Sequence, residues 1–147
     1  MKTPRATGMD IVQIGETYSF HKTITEADVT LYGGLVGDLG RIHFDDEFAK
    51  QTKYGRRLAM GTFMVGLMSA PQSVLGERLR ERGAPPNVSY GYDRVRFPAP
   101  VFIGDTITSI LTVSEKREDK GVVLCDQKCV NQRGEVVAAA THILKFI

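Results

Sequence analysis

One apolar stripe in the middle of this chain limits what it can fold into. From Gly61 onward apolar residues recur three and four positions apart, which predicts one long α-helix. The stripe consists of Met64, Leu67, Met68, Pro71, Val74, Leu75 and Leu79. Pro71 should kink or split the helix near Ala70, because proline has no N–H to donate and crowds the preceding turn. Charge appears only in the last turns, so we expect the first half to be buried.

Strand-like segments flank this helix on both sides. They are Gly15–Thr25, Asn87–Phe97, Thr106–Lys116, Val122–Asn131 and Glu135–Ile147. Short polar turns separate the last three, which predicts an antiparallel meander. A helix with one apolar face must bury it against a partner, so we expect an α+β fold of two layers. The 147 residues contain no internal repeat and no linker, which predicts a single domain over residues 1–147.

Shorter helices are predicted between the first strand and the long helix. Thr25 and Asp28 have the spacing of a capping box, which predicts a helix that ends near Gly33–Gly37. Asp45 should cap a short helix through about Lys50. The intervening stretch, Gly37–Phe44, is neither helical nor alternating and is predicted to be irregular.

Charge and composition exclude several classes of function. A net charge of +2 is far from the basic footprint of a nucleic-acid-binding protein. No apolar run approaches the ~20 residues that span a bilayer, and Met1–Asp10 lacks the apolar core of a secretory signal. We therefore expect a cytoplasmic protein that binds neither nucleic acid nor membrane. Cys125 and Cys129 should be small buried residues on one strand face, and no phosphate loop or metal-ligand cluster predicts a cofactor.

The candidate chemistry lies in the predicted irregular stretch. Asp38 and His43 stand five positions apart there. A carboxylate and an imidazole that converge can hold one water, and one group can take a proton while the other gives one. Spacing alone also fits a turn followed by a histidine that caps the next helix, so both interpretations remain open at this point.

Four segments of the chain follow a recognisable order. They are Tyr32–His43, Leu58–Thr62, Arg96–Val101 and Gly104–Thr106. The first contains Gly-Asp followed after four residues by His, the second leads to Gly61, and a serine, Ser69, stands eight residues after that glycine. Together they resemble the MaoC-like dehydratases, also called R-specific 2-enoyl-CoA hydratases. The resemblance runs from about Gly15 to Phe146.

The resemblance implies a hotdog fold, in which an antiparallel sheet surrounds one long helix. It also implies a hydro-lyase that acts on a 2-enoyl-CoA or 3-hydroxyacyl-CoA thioester. Asp38 and His43 would be the water-binding dyad, the Gly61 N–H would bind the thioester carbonyl, and Ser69 would bind substrate. Met60 and Met64 suit either the core or the wall of an acyl pocket.

The expected partners are an acyl-CoA, or an acyl-carrier thioester, and a second subunit. A homodimer, a higher homo-oligomer or a related hetero-pair is expected from the apolar face that begins at Gly61, from the chain size and from the resemblance. The basic residues Lys50, Lys53, Arg56 and Arg57 are expected to be a solvated face, with the phosphates of CoA as the alternative role.

Two departures from the family pattern keep other functions open. Gly40-Arg41 replaces Asn-Pro, and Met60 replaces a histidine. A cation at Arg41 would favour the carboxylate form of Asp38 if it lies nearby, whereas a surface arginine would point away. The alternatives are a hotdog thioesterase, which would aim water at the carbonyl carbon, and a non-catalytic subunit that binds an acyl thioester.

Overall fold

One five-stranded antiparallel sheet frames the structure, a computed structural model that describes residues 8–147. Most of the segment Met1–Asp10, in which no secretory signal is predicted, lies outside the described residues. The strands are β1 (Thr17–Thr23), β2 (Asn87–Arg96), β3 (Thr106–Arg117), β4 (Val122–Val130) and β5 (Val136–Phe146), in the spatial order β1-β3-β4-β5-β2. All neighbouring strands are antiparallel, so the predicted meander is confirmed.

Five helices lie between β1 and β2. They are α1 (Glu26–Val36), α2 (Arg41–Phe44), α3 (Asp46–Lys50), α4 (Gly61–Leu67) and α5 (Ser69–Glu81). The capping box is confirmed: the Thr25 hydroxyl accepts from Asp28 N at 3.1 Å, and the Asp28 carboxylate accepts from Thr25 N at 2.8 Å. The Asp45 cap of α3 is confirmed as well. In residues 8–147 no helix is both long and apolar enough to cross a membrane.

The prediction of irregular backbone over Gly37–Phe44 was wrong in its second half. Residues 41–44 form the single helical turn α2, which is closed by a hydrogen bond of 2.8 Å from Asp45 N to the Arg41 carbonyl. A helix of four residues is shorter than one repeat of an amphipathic pattern, so periodicity could not indicate it.

The long helix is split at Met68, as Pro71 predicts, two residues before the expected position at Ala70. Pro71 cannot donate to the carbonyl of Leu67, four residues earlier, so α4 ends there. At the break, the Met68 carbonyl accepts a hydrogen bond of 2.6 Å from the side-chain N–H of Gln127 in β4. Val74 was wrongly included in the buried stripe and is 43% exposed. The buried line of α5 is Pro71, Leu75 and Leu79, and Val74 lies to one side of it.

The core lies between these two helices and one face of the sheet. Around α4, Met60, Met64 and Met68 pack on Ile107, Cys129 and Val137. Around α5, Leu75 and Leu79 pack on Leu111, Cys125 and Leu144. The apolar face that begins at Gly61 is therefore covered by the chain's own sheet and is not the pairing surface that the sequence suggested. The architecture is α+β, the hotdog arrangement that the resemblance implies.

The two cysteines are free and buried, as predicted. Burial raises the pKa of the Cys125 thiol to about 12 and that of Cys129 to about 11, since an apolar environment disfavours the thiolate. Both thiols are therefore neutral at physiological pH and act as small core side chains.

A line of hydrogen bonds crosses the buried part of the sheet. His142 Nδ1 lies 2.7 Å from Gln127 Oε1, and Nε2 lies 2.7 Å from the Ser89 hydroxyl. The Gln127 amide oxygen can only accept, so Nδ1 carries the proton and Nε2 accepts from Ser89. Burial lowers the pKa of His142 to about 4, so the ring is neutral at pH 7. The line joins β2, β5 and β4 to the break between α4 and α5.

The first prediction concerns the pH dependence of stability. The pKa of His142 falls from 6.5 to about 4 on folding, so between these values the unfolded chain binds a proton that the folded chain does not. The contribution of neutral His142 to the free energy of unfolding is therefore fully present above pH 6.5. It is lost as the pH falls toward 4, and the total loss is roughly 3 kcal/mol. Urea unfolding at several pH values should show this slope in the wild type and its loss in His142→Gln.

The variant His21→Gln is the matched control, because it removes an exposed histidine from the edge strand β1. Carboxylates with lowered pKa values, such as Asp28 and Asp105, add their own acid dependence to all three proteins equally. An unchanged slope in His142→Gln would mean that His142 does not control acid stability.

Candidate active site

The loop that carries Asp38 is set in place by the close approach of α1 to α2. Gly33 of α1 is buried, and a Cβ atom there would lie 2.5 Å from Cζ of Phe44 and 2.9 Å from Cε of Met60. A larger residue would push α1 away from these side chains. Gly37 then ends α1 in the left-handed conformation, with φ 77°. The chain turns there, so Asp38 points back toward α2.

Asp38 and His43 converge, as the sequence suggests. Asp38 Oδ2 lies 3.6 Å from His43 Nε2, which is too long for a good direct hydrogen bond. The other ring nitrogen, His43 Nδ1, lies 2.7 Å from the Leu58 carbonyl. A carbonyl only accepts, so in the neutral ring Nδ1 carries the proton and the Nε2 lone pair faces Asp38. The pair is partly open to solvent, with side-chain exposures of 43% for Asp38 and 14% for His43.

The segment that enters α4 holds His43 from behind. Leu58 N donates to the Ile42 carbonyl at 3.1 Å, and Arg57 Nη1 donates to the His43 carbonyl at 3.3 Å. With the bond from Nδ1 to Leu58, three hydrogen bonds join residues 57–58 to residues 42–43. The imidazole is thereby fixed in position and in tautomer.

Arg57 is a structural residue rather than part of a solvated face, which corrects the prediction for this position. Its side chain is only 14% exposed and contacts Glu26 at 2.6 Å and Asp46 at 2.8 Å. The hydrogen bond to Glu26 is the main reason that the pKa of Arg57 is raised. Arg57 thus ties α1 and α3 to the backbone of His43. The neighbouring Arg56 lies over the Phe102 ring at 3.9 Å.

Arg41 does not supply its charge to Asp38. Its guanidinium donates from Nε and Nη2 to Asp45 Oδ2, at 3.0 and 2.8 Å, and lies over the Phe48 ring. A hydrogen bond from Phe48 N and this contact with Arg41 hold the pKa of Asp45 below its usual value. Of the two roles considered for Arg41, the surface arginine that points elsewhere is the one observed.

A cavity of about 240 Å³ opens beside His43. His43, Gly61 and Met64 contribute to its wall, and the other lining residues are mainly apolar. These include Leu58, Ala59, Phe97, Pro100, Val101 and Val137. Gly61 is the first residue of α4, so its N–H has no acceptor within the helix. A Cβ at Gly61 would lie 2.8 Å from the Phe97 ring, so close packing also requires glycine at this position.

The structure brings four of the six predicted site residues together. Asp38, His43, Gly61 and Met64 lie at or beside this cavity. Met60 precedes α4 and is buried in the core against α1 rather than in the cavity wall. Ser69 is exposed at the start of α5 and does not line the cavity. The substrate-binding roles of these two residues stay predictions.

Two aromatic residues of the cavity were not predicted. Phe97 belongs to the segment Arg96–Val101 that contributed to the family resemblance, and its position there was the available signal. Tyr54 lies in the turn after α3, among basic residues for which the sequence suggested at most a contact with CoA phosphates and no part in an apolar cavity. The folded chain brings this turn to the cavity that Leu58 also lines.

Comparison with known proteins identifies the family. The profile of the MaoC like domain matches residues 10–132. An (R)-specific enoyl-CoA hydratase of Rhodospirillum rubrum is 36% identical over 118 residues, which are 80% of this chain and 77% of that protein. A 3-hydroxybutyryl-CoA dehydratase of Methylorubrum extorquens is 36% identical over 104 residues, 71% of this chain and 62% of that protein.

Solved structures agree with this assignment. The (R)-hydratase of Aeromonas caviae that is involved in PHA biosynthesis superposes with a TM-score of 0.79 at 25% identity. The superposition covers 92% of this chain and 98% of the hydratase. On the match of the family profile and of these relatives, the chain belongs to the MaoC-like family.

Proposed function

We propose that this protein adds water to a 2-enoyl thioester, or removes water from a 3-hydroxyacyl thioester, with Asp38 and His43 holding the water. The proposal rests on one observation, the distance of 3.6 Å between Asp38 Oδ2 and His43 Nε2. Both atoms can accept a hydrogen bond, and neither is occupied by the other. A water beside them can donate one hydrogen to each.

This arrangement suits addition to a double bond. His43 Nε2 takes a proton from the water as its oxygen attacks the β-carbon of the enoyl group, and the dyad returns a proton to the α-carbon. The fixed proton on Nδ1 leaves Nε2 as the basic atom, because the Leu58 carbonyl prevents the other tautomer. In the reverse direction the same groups remove water from the 3-hydroxyacyl thioester.

The thioester carbonyl would be bound at the start of α4. Negative charge develops on its oxygen when water adds to the β-carbon, and the free N–H of Gly61 can stabilise that charge. Gly61 lies in the wall of the same cavity as His43. The apolar remainder of the wall, including Met64, is suited to the acyl chain.

The relatives support the same class of enzyme. Proteins that are 36% identical to this chain are named as an enoyl-CoA hydratase and a 3-hydroxybutyryl-CoA dehydratase. The chain is accordingly a hydratase or dehydratase of CoA thioesters, and we propose that Asp38 and His43 hold the reacting water. Thioester hydrolysis is less well supported, because a paired acid and base is suited to proton exchange at the double bond.

One assay distinguishes the three functional hypotheses, which are a hydratase, a thioesterase and a non-catalytic subunit. Crotonyl-CoA should lose its enoyl-thioester absorbance without release of a free thiol, whereas a saturated acyl-CoA should not react. Release of thiol from the saturated substrate would identify a thioesterase instead. Binding of both without any turnover would identify a non-catalytic subunit.

The second prediction concerns the dyad. Asp38→Asn and His43→Gln keep approximate shape and remove acid–base capacity, so each should lower the rate of crotonyl-CoA hydration roughly a hundredfold or more. The double variant should be little slower than either single variant, because two groups that hold one water act as a unit. Arg41→Gln is the matched control, since Arg41 is in the same helical turn α2 as His43 but pairs with Asp45. Single variants with nearly normal rates would refute the assignment.

The third prediction separates the two roles of Gly61. Gly61→Ala and Gly61→Pro both place a Cβ against Phe97, but only proline removes the N–H. Proline is tolerated at the first position of a helix. If the N–H stabilises the transition state, kcat should fall roughly a hundredfold further in the proline variant than in the alanine variant. Equal rates in the two variants would leave packing as the only role of Gly61.

The fourth prediction is that the chain forms a homodimer. Leu31 and Leu35 lie one turn apart on α1, Leu39 follows the end of that helix, and each of the three is more than half exposed. Three large, strongly exposed apolar side chains within nine residues support pairing with a second subunit. Sedimentation at micromolar concentration should give twice the chain mass of 16.2 kDa. A stable monomer across a dilution series would contradict the prediction.

A further inference from the structure

A second cavity, of about 780 Å³, lies on the opposite face of the sheet from α4 and α5. Side chains alternate across each strand. Cys125 and His142 face the helices, so Leu124 and Ile143 face the other way, into this cavity. None of the residues proposed for hydration contributes to its wall.

The floor of this cavity is apolar. Val122 and Leu124 are only 7% and 8% exposed although they face away from the helical core. One side wall is the ring of Tyr90, which is 63% exposed. The ammonium group of Lys145 lies 5.0 Å from the centroid of that ring. A flat aromatic ring and a positive charge thus lie side by side above the apolar floor of the cavity.

The rim carries an excess of positive charge. Arg94, Arg117, Lys120 and Lys145 line the cavity, against one lining carboxylate, Asp93. Arg117 donates to Glu115 at 2.7 Å. Within residues 8–147 the other three cations form no ion pair. Their charges are available to a ligand.

Backbone strain is held at the same place. Arg94 has φ 54° and is the one non-glycine position of the described chain with positive φ. It lies where the register of β2 against β5 shifts, between Asp93 and Arg96. The bulge turns the guanidinium toward the cavity, where Nη2 donates to the Thr141 hydroxyl at 3.0 Å. Such conformations cost free energy and are concentrated at binding sites.

The geometry points to a binding site for a phosphorylated nucleotide. Three free cations call for a ligand with several negative charges, and guanidinium and ammonium groups are the usual partners of phosphate. The Tyr90 ring and the apolar floor call for a planar ring on the same ligand. The volume lies in the range of small-molecule sites. The nucleotide would be either free in solution or the nucleotide end of a CoA thioester.

Calorimetric titration of the intact protein with ADP tests the site directly. Arg94→Asn and Lys145→Ala should each weaken ADP binding at least tenfold, and adenosine, which has no phosphate, should bind far more weakly than ADP. Lys128→Ala is the matched control, because Lys128 is exposed on the same sheet face outside the cavity and should not change the affinity. Raising the salt concentration should weaken binding.

The asparagine variant also separates binding from folding. Asparagine tolerates positive φ better than arginine, so Arg94→Asn should lose nucleotide affinity without a fall in the thermal midpoint. A lower midpoint with unchanged affinity would make Arg94 a structural residue and overturn its role. Two results would refute the site itself. One is the absence of any heat of binding with ADP at millimolar concentration, and the other is the same ADP affinity in Arg94→Asn, Lys145→Ala and the control Lys128→Ala. A change in oligomer mass in Lys145→Ala without an effect on ADP would show an interface instead.

A second set of measurements distinguishes the two sources of nucleotide, and this part alone rests on the proposed hydratase activity. If the site takes the nucleotide end of CoA, Lys145→Ala should raise KM for crotonyl-CoA about tenfold and leave KM for crotonyl-pantetheine and kcat unchanged. If it takes a free nucleotide, neither KM should change although ADP binding is lost. If the protein does not hydrate crotonyl-CoA, the ADP titration still tests the nucleotide site. Each proposal can therefore be refuted without the other.

Discussion

Burial of three methionines, one before α4, one within it and one after it, is the constraint on which the rest of the structure depends. Met60, Met64 and Met68 are all at most 1% exposed and hold the helix on β3, β4 and β5. Their packing places the start of α4 beside the loop 97–101, and Ala59 N donates to the Val101 carbonyl at 2.8 Å. The backbone that enters the helix is therefore rigid, and it is this backbone that orients His43.

The two buried or half-buried histidines show how position decides chemistry. His142 has both ring nitrogens engaged, by Gln127 and Ser89, and its burial lowers its pKa to about 4. It can neither bind substrate nor exchange protons at neutral pH. His43 has one nitrogen engaged by the Leu58 carbonyl and the other directed at Asp38, 3.6 Å away, so one water beside the two atoms could hydrogen-bond to both. The same side chain is thus a structural link in one place and a candidate base in the other.

The sheet separates two kinds of surface. On the helix side, apolar packing and one line of hydrogen bonds exclude solvent and position the candidate active site. On the other side, cationic side chains line the same cavity as Val122 and Leu124, and their charge is available to a ligand. If the nucleotide site and the hydration site both operate, one sheet supports a thioester pocket on one face and a phosphate-binding surface on the other.

Local patterns were sufficient to predict most of the elements. The meander, the capping box at Thr25 and the break caused by Pro71 each follow from interactions between residues close in sequence. Asp38 and His43 could be selected because they stand five positions apart in one short segment and because the surrounding motif resembles a known family. The turn α2 and the exposure of Val74 could not be predicted, since a four-residue helix has no period and a break changes which side of α5 meets the sheet.

The amino-acid sequence by itself determined the fold class, the family and the residue types of the candidate dyad, because these depend on periodicity, caps and local motifs. Tertiary structure decided which charges act where. Arg57 became a buried link and Arg41 pairs with Asp45, whereas Arg94 and Lys145 have no carboxylate partner within residues 8–147. The physical reason is that the pairing of a charge depends on residues distant in sequence, such as Glu26 for Arg57, which only the folded chain brings within contact.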